Sequence, residues 1–342
     1  MTAVFCRATA DRKAATWEGL LTPFSRLEFA VSDAAKGIAK AVSQRAAARR
    51  DDPSAPPLEH GLDVFHTAME AHRVLARHWR RAEGAWEKAE QADVELARAK
   101  RQGIDARGPG LAARAAWRRA SAAVEEVARL ESAWGRAACA LELFDADGRL
   151  NDRDRATAAI ACALKDLTGS EWSKVRNFLT DRRSLAFLDR MHRRLESAEP
   201  RPEWREAMAW RWWLRHGRVG ASDPLTELLR GTARGRELGA EERASYQGVA
   251  AVLKDTVRAS SAVECMNGVL RMQQSRHRRM TQPMLDLKRL YWNCRAFRSG
   301  PRKDTCPYQA LGLELPTYDF WALLHADPAR LAQQLSTPED AD

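Results

Sequence analysis

The chain has only six cysteines in 342 residues, and none of them form a C-x-x-C pair. Closely spaced thiols are what a zinc knuckle or a small disulfide framework requires, so we expect neither here. The longest uncharged apolar run, Ala156 to Leu164, is far shorter than the roughly 18 residues of a membrane-spanning helix. The first residues also lack the basic start and apolar stretch of a secretion signal. We therefore expect reduced thiols, a cytoplasmic location and no membrane partner.

Acidic residues are the minority among the charges. The 56 lysines and arginines exceed the 46 acids, which gives a net charge of +10 and favours a polyanionic partner such as nucleic acid. Most of the excess falls between Arg258 and Lys303, where eleven bases stand against two acids. The alternative is that these cations only form the solvent-exposed faces of two helices and bind no partner. A hydrophobic content of 45% is enough for a sizeable core.

Strand and helix patterns alternate in the first 66 residues. Residues 27 to 33 alternate apolar and other side chains, which predicts a strand that ends at Asp33. A helix should follow from Ala34 to about Arg49, and a second strand from Gly61 to His66. From Thr67 to about Val257 nearly everything has helical spacing.

The clearest helical pattern is a 4-3 seam of apolar residues between Leu75 and Leu96. Its expected partner is the segment from Leu111 to Phe144, because the glycine-rich turn between the two would fold them into an antiparallel pair. A third region begins near Arg258. Its first amphipathic helix should run from Glu264 to Arg279, and Thr281 is placed to cap the next helix.

Three segments carry a recognisable motif: Val31-Ser-Asp-Ala-Ala-Lys-Gly-Ile-Ala39, Gly61-Leu-Asp-Val-Phe-His-Thr67 and Arg258-Ala-Ser-Ser-Ala-Val-Glu-Cys-Met-Asn-Gly-Val-Leu-Arg271. With the segments 284–298 and 306–313, they resemble the DDE transposases of bacterial insertion sequences. The resemblance implies an α+β, mostly α fold: a partial ribonuclease H-like core, its opening strands missing, interrupted by a large all-helical insertion. The implied divisions are residues 1–66 for the partial core, 67–257 for the insertion, 258–304 for the helices that complete the core and 305–342 for the tail.

In that family two aspartates and a glutamate hold two Mg²⁺ or Mn²⁺ ions that drive DNA strand cleavage and transfer. By position, Asp33 matches the second aspartate and Glu264 the glutamate. From the residues alone, an acid after a strand such as Asp33 is usually a helix N-cap, and an acid on a basic helix such as Glu264 is usually an ion-pair partner. His66 is a possible auxiliary residue that donates to a phosphate or positions a loop, or else a histidine bonded only to its neighbours.

The resemblance also implies DNA as partner, both the element's ends and its target, and a nucleoid-associated location. The expected contacts to phosphate, which carry no sequence information, come from eight cations: Arg271, Arg276, Arg278, Arg279, Lys288, Arg289, Arg295 and Arg298. Further possible partners are a second copy of the chain or an intact transposase.

The first catalytic aspartate of the family has no clear match. Asp11 is the only acid before the first helix, and its polar surroundings make it a poor substitute. We therefore expect a truncated chain that is inactive alone. The alternative is a non-catalytic remnant that binds DNA or oligomerises and modulates an intact transposase.

Overall fold

A computed structural model describes residues 11–50, 55–145, 147–216, 228–229, 231–232, 237–258, 281–298, 303–310 and 312–331. The chain divides into two compact units, residues 17–260 and residues 1–16 with 261–342. The first helix, α1, runs over Ala14–Leu21.

The larger unit contains a pair of parallel strands, β1 (Phe29–Ser32) and β2 (Glu59–Leu62). Helix α2 (Lys36–Ala48) connects them, as parallel pairing requires. Phe29 lies opposite Glu59, and Ser32 lies opposite Leu62. The predicted first strand and the helix after it are thus confirmed.

The second predicted strand is wrong at its carboxyl end. It was expected to continue to His66, but β2 ends at Leu62 and α3 (Val64–Arg101) begins two residues later. The carboxylate of Asp63 accepts a hydrogen bond from the Phe65 amide and caps the helix. Because Val64 and Phe65 are apolar, they extend the strand pattern in the sequence while forming the first helical turn in the structure.

Gly61 in β2 has a steric reason to lack a side chain. A Cβ built there would lie 2.6 Å from the ring of Phe29 on β1. The guanidinium of Arg190 lies over the same ring, 5.5 Å from its centre. The absence of a side chain at Gly61 thus lets the Phe29 ring of β1 pack against the backbone of β2.

The predicted antiparallel helix pair is confirmed as α3 and α4 (Arg107–Ala140), joined by the short turn 102–106. Small residues of both helices are fully buried where the two pack, including Ala89 and Ala120. Two tryptophans of the predicted seam lie instead at its edge: Trp79 is 39% exposed and Trp86 is 43% exposed. Their indole N–H groups donate to Glu131 and Glu90.

Shorter helices complete the larger unit: α5 (Arg153–Leu164), α6 (Ser173–Thr180), α7 (Ala186–Ala198), α8 (Pro202–His216) and α9 (Ala240–Asp255). Two single turns of 3-10 helix, Ser170–Trp172 and Arg182–Leu185, stand before α6 and α7. Trp172, Leu188 and Met191 are fully buried in a core shared with α3, α4 and β2. The smaller unit includes α10 (Gln282–Cys294), α11 (Pro307–Ala310) and α12 (Phe320–His325).

The architecture is therefore α+β and mostly α, with one small parallel strand pair. In the part of the chain that the structure describes, no helix combines the length and the apolar character needed to cross a membrane. The predicted helix from Glu264 to Arg279 falls outside the described residues.

Candidate metal site at the carboxyl end of the strand pair

Asp33 directly follows β1 and its side chain is exposed. One carboxylate oxygen, Oδ1, accepts a hydrogen bond from the Ala35 amide at 3.3 Å. The N-cap position of α2 is Ala35, so the interpretation of Asp33 as the helix cap is wrong. The result is a solvent-facing carboxylate at the carboxyl end of a parallel strand. Carboxylate oxygens are the hard donors that Mg²⁺ prefers, so this residue fits the metal that the resemblance implies.

Asp63 follows β2 and lies beside the same strand end. Its amide donates to the carbonyl of Ser32 at 2.9 Å, which extends the pairing of the strands by one bond. Its side chain is buried and caps α3. Asp63 therefore stabilises the corner where β2 turns into α3.

His66 lies in the first turn of α3 and not on a strand. Its Nε2 is 3.7 Å from Oδ2 of Asp63, and about a third of its side chain is exposed. This contact is the one expected of a histidine bonded to its neighbours. An auxiliary role at a phosphate stays a prediction.

The helices between Asp63 and Arg258 bring the polypeptide back to the start of α3. The Val64 amide donates to the carbonyl of Arg258 at 3.1 Å. The Arg258 side chain is fixed by Leu141, whose carbonyl accepts at 2.9 Å, and by Glu142, whose carboxylate lies 2.6 Å away. Residue 258, six positions before Glu264, thus lies beside the residue that follows Asp63.

A chain of hydrogen bonds runs from the helical segment to the backbone of Asp33. Arg183, in the 3-10 turn before α7, places its Nη1 atom 3.3 Å from Nδ1 of His60 on β2. Nε2 of His60 lies 2.8 Å from the hydroxyl of Ser32 on β1, and that hydroxyl donates to the Asp33 carbonyl at 2.8 Å. Asp181 holds Arg183 through its carboxylate at 2.7 Å.

Which atom donates in each of these hydrogen bonds follows from the groups that are able to donate. A guanidinium can only donate, so Nδ1 of His60 accepts and the ring proton belongs on Nε2, where it reaches Ser32. Burial, with the positive charge of Arg183, lowers the pKa of His60 from 6.5 to about 4. The hydrogen bond from Arg183 likewise lowers the pKa of Asp181. His60 is therefore neutral at pH 7, in one defined tautomer.

Four of the predicted DNA-contacting cations lie on or just after α10 in the smaller unit: Lys288, Arg289, Arg295 and Arg298. Arg295 and Arg298 are exposed, and Arg289 lies 3.5 Å from Asp286. The other four, Arg271, Arg276, Arg278 and Arg279, lie outside the described residues, as does Glu264. Among the residues that are described, no group of three or more His, Cys, Asp or Glu side chains is placed to hold a metal ion.

Sequence reasoning missed His60, Arg183 and Asp181. His60 stands just before the Gly61 motif, and Asp181 lies in the long stretch of helical spacing, so neither gave a functional signal. Comparison of the chain with family models, curated proteins and solved structures finds no match.

Proposed function

We propose that this chain is a DDE-type transposase polypeptide whose Asp33 and Glu264 supply metal-binding carboxylates for DNA strand cleavage and transfer. The observation that carries the proposal is the position of Asp33, an exposed carboxylate at the carboxyl end of β1. The return of the chain at Arg258, beside Val64 and six residues before Glu264, supports it further. The motifs around both acids supply the resemblance.

The reaction is an in-line displacement at phosphorus. The oxygen of a water molecule, or later of a DNA 3′-hydroxyl, forms a bond to phosphorus as the bond to the leaving 3′-oxygen breaks, and that oxygen takes up a proton. Bound Mg²⁺ would supply Lewis-acid activation of the attacking oxygen and charge stabilisation of the leaving one. In this account Ser32 and His60 hold the backbone of Asp33, and the cations of segment 258–303 bind DNA phosphates.

The test is nicking of supercoiled plasmid DNA with Mg²⁺ or Mn²⁺, comparing the wild-type chain with Asp33→Asn and Glu264→Gln. Complete transposition is not expected of this chain alone, so the test measures only the first step, metal-dependent nicking. Each substitution should lower nicking by at least about 100-fold, because a neutral amide is a poor ligand for a hard cation. Asp255→Asn and Glu196→Gln are matched controls, since both acids are exposed on α9 and α7. Nicking that persists in the Asp33 and Glu264 variants would contradict the assignment.

A second candidate function is a non-catalytic DNA-binding protein that associates with an active transposase. The observation that favours it is that the resemblance matches only two of the three carboxylates to residues of this sequence. It predicts salt-sensitive DNA binding with no metal-dependent nicking by the wild-type chain. Absence of DNA binding would contradict both candidates.

A further inference from the structure

Charge is segregated along the α3–α4 hairpin. We define the hairpin tip as residues 96–119, which contain seven basic residues and one acid, Asp105. The rest of the hairpin, residues 64–95 and 120–140, contains seven basic and nine acidic residues. The tip therefore carries a net charge of +6, although the helices that support it are slightly acidic. The basic residues of the tip are Arg98, Lys100, Arg101, Arg107, Arg114, Arg118 and Arg119.

All seven cations are exposed. On the rest of the hairpin, three of the six arginines have a carboxylate within 4 Å: Arg73 lies 2.8 Å from Glu70, and Arg129 and Arg136 lie 3.6 Å and 2.6 Å from Asp166. Across the described ranges, no carboxylate lies within 4 Å of any tip cation. The single acid of the tip is used locally, since Asp105 accepts a hydrogen bond from the Arg107 amide. A surface helix normally mixes both signs of charge, so this concentration points to a polyanion.

The tip lies far from the strand pair. Helix α3 has 38 residues, about 57 Å at 1.5 Å per residue, and it begins beside the end of β1. A buried seam of small residues, including Ala99 and Ala113, continues the helix packing into the tip. The hairpin is therefore a long arm with a cationic end. Its length corresponds to about 17 base pairs of duplex DNA at 3.4 Å each.

We propose that the hairpin tip is a second DNA-binding surface, which contacts phosphates remote from the strand that carries Asp33. The choice of DNA as the polyanion rests on the proposed function. The contacts are electrostatic, so they add affinity and orientation without reading sequence. Their distance from the strand pair separates this surface from any metal chemistry at Asp33.

The test is DNA affinity of the full chain, measured by fluorescence anisotropy with a duplex of about 40 base pairs in EDTA, over a series of salt concentrations. The tip variant combines Arg98→Gln, Lys100→Gln, Arg101→Gln and Arg107→Gln. A control variant removes the same charge from exposed cations of the other helices: Lys165→Gln, Lys174→Gln, Arg243→Gln and Lys254→Gln. Circular dichroism checks that both variants retain the helical fold.

The tip variant should bind roughly 10- to 100-fold more weakly than wild type near 0.1 M salt, with a salt slope smaller by about 3. The control should remain close to wild type. Equal losses in both variants would mean that only net charge matters and would overturn the inference, as would an unchanged tip variant. Tighter, tip-dependent binding of a duplex RNA would overturn the choice of DNA.

The measurement also separates this inference from the proposed function. Binding in EDTA does not depend on metal chemistry, so Asp33→Asn should leave the effect of the tip unchanged. A chain that fails to nick plasmid but loses affinity in the tip variant would contradict the catalytic proposal alone. A chain that nicks plasmid but shows no tip effect would contradict the inference alone.

Discussion

At the scale of single residues, His60 links the helical segment to the end of β1. It accepts from Arg183 and donates to Ser32, which in turn holds the Asp33 carbonyl. This contact was beyond prediction, because residues 60 and 183 are 123 positions apart and no local pattern relates them. Asp33 itself was singled out as a candidate ligand only through its motif, since an acid after a strand is common and uninformative.

The neutral state of His60 gives a pH prediction. Its folded pKa of about 4 lies below the ordinary 6.5, so the unfolded chain binds the proton more tightly. The stability that this residue contributes should be complete above pH 6.5 and should decline as the pH falls toward about 4. Comparing the pH dependence of the free energy of unfolding for wild type and His60→Gln isolates this effect.

Nitrogen NMR of the histidine side chains checks the same prediction directly. The His60 signals, assigned by their loss in His60→Gln, should show the Nε2-protonated tautomer at pH 7. In Arg183→Leu the side chain has no donor for Nδ1, so the tautomer preference should weaken. A His60 that titrates near 6.5, or that is protonated on Nδ1 at pH 7, would contradict the described network.

At the scale of elements, the helix pair was predictable and the end of β2 was not. The repeat of small and apolar residues along α3 and α4 is a local pattern, and it extends over many turns. At Asp63, by contrast, two apolar residues fit either a strand or a helix, and the cap alone decides. Short elements whose ends are set by one hydrogen bond are the least predictable from spacing.

Two glycines should respond in opposite ways to substitution by alanine, because one is packed against a neighbouring strand and the other has open space around it. Gly61→Ala should lower the free energy of unfolding by about 1–3 kcal/mol, because its Cβ would meet the Phe29 ring at 2.6 Å. Gly84→Ala on α3 has no neighbour within 4 Å of the added Cβ and should raise stability by about 0.5–1 kcal/mol. Urea unfolding measures both.

Phe29→Leu combined with Gly61→Ala supplies the internal control, because the smaller side chain leaves room for the added methyl group. The double variant should be less destabilised than the sum of the two single variants. Additive losses would show that the Phe29 ring is not what excludes a side chain at residue 61.

At the scale of the whole molecule, the net charge of +10 predicted a polyanionic partner but not where it binds. Counting charge along the sequence drew attention to residues 258–303, where the excess is densest. The hairpin tip escaped notice because its cations alternate with alanines in a long helical stretch, and only the structure separates them from the acidic base of the hairpin. The proposed metal site likewise would combine Asp33 and Glu264, which are far apart in sequence and which composition cannot associate.

The most direct measurement of the central claim is metal-directed cleavage of the chain itself, with Fe²⁺, ascorbate and peroxide in place of Mg²⁺. If Asp33 and Glu264 bind the same ion, the backbone should be cut near residues 33 and 264 together. Excess Mg²⁺ should suppress both cuts, and Asp33→Asn or Glu264→Gln should each remove both. Cuts near only one of the two acids, or cuts that survive both substitutions, would contradict the account.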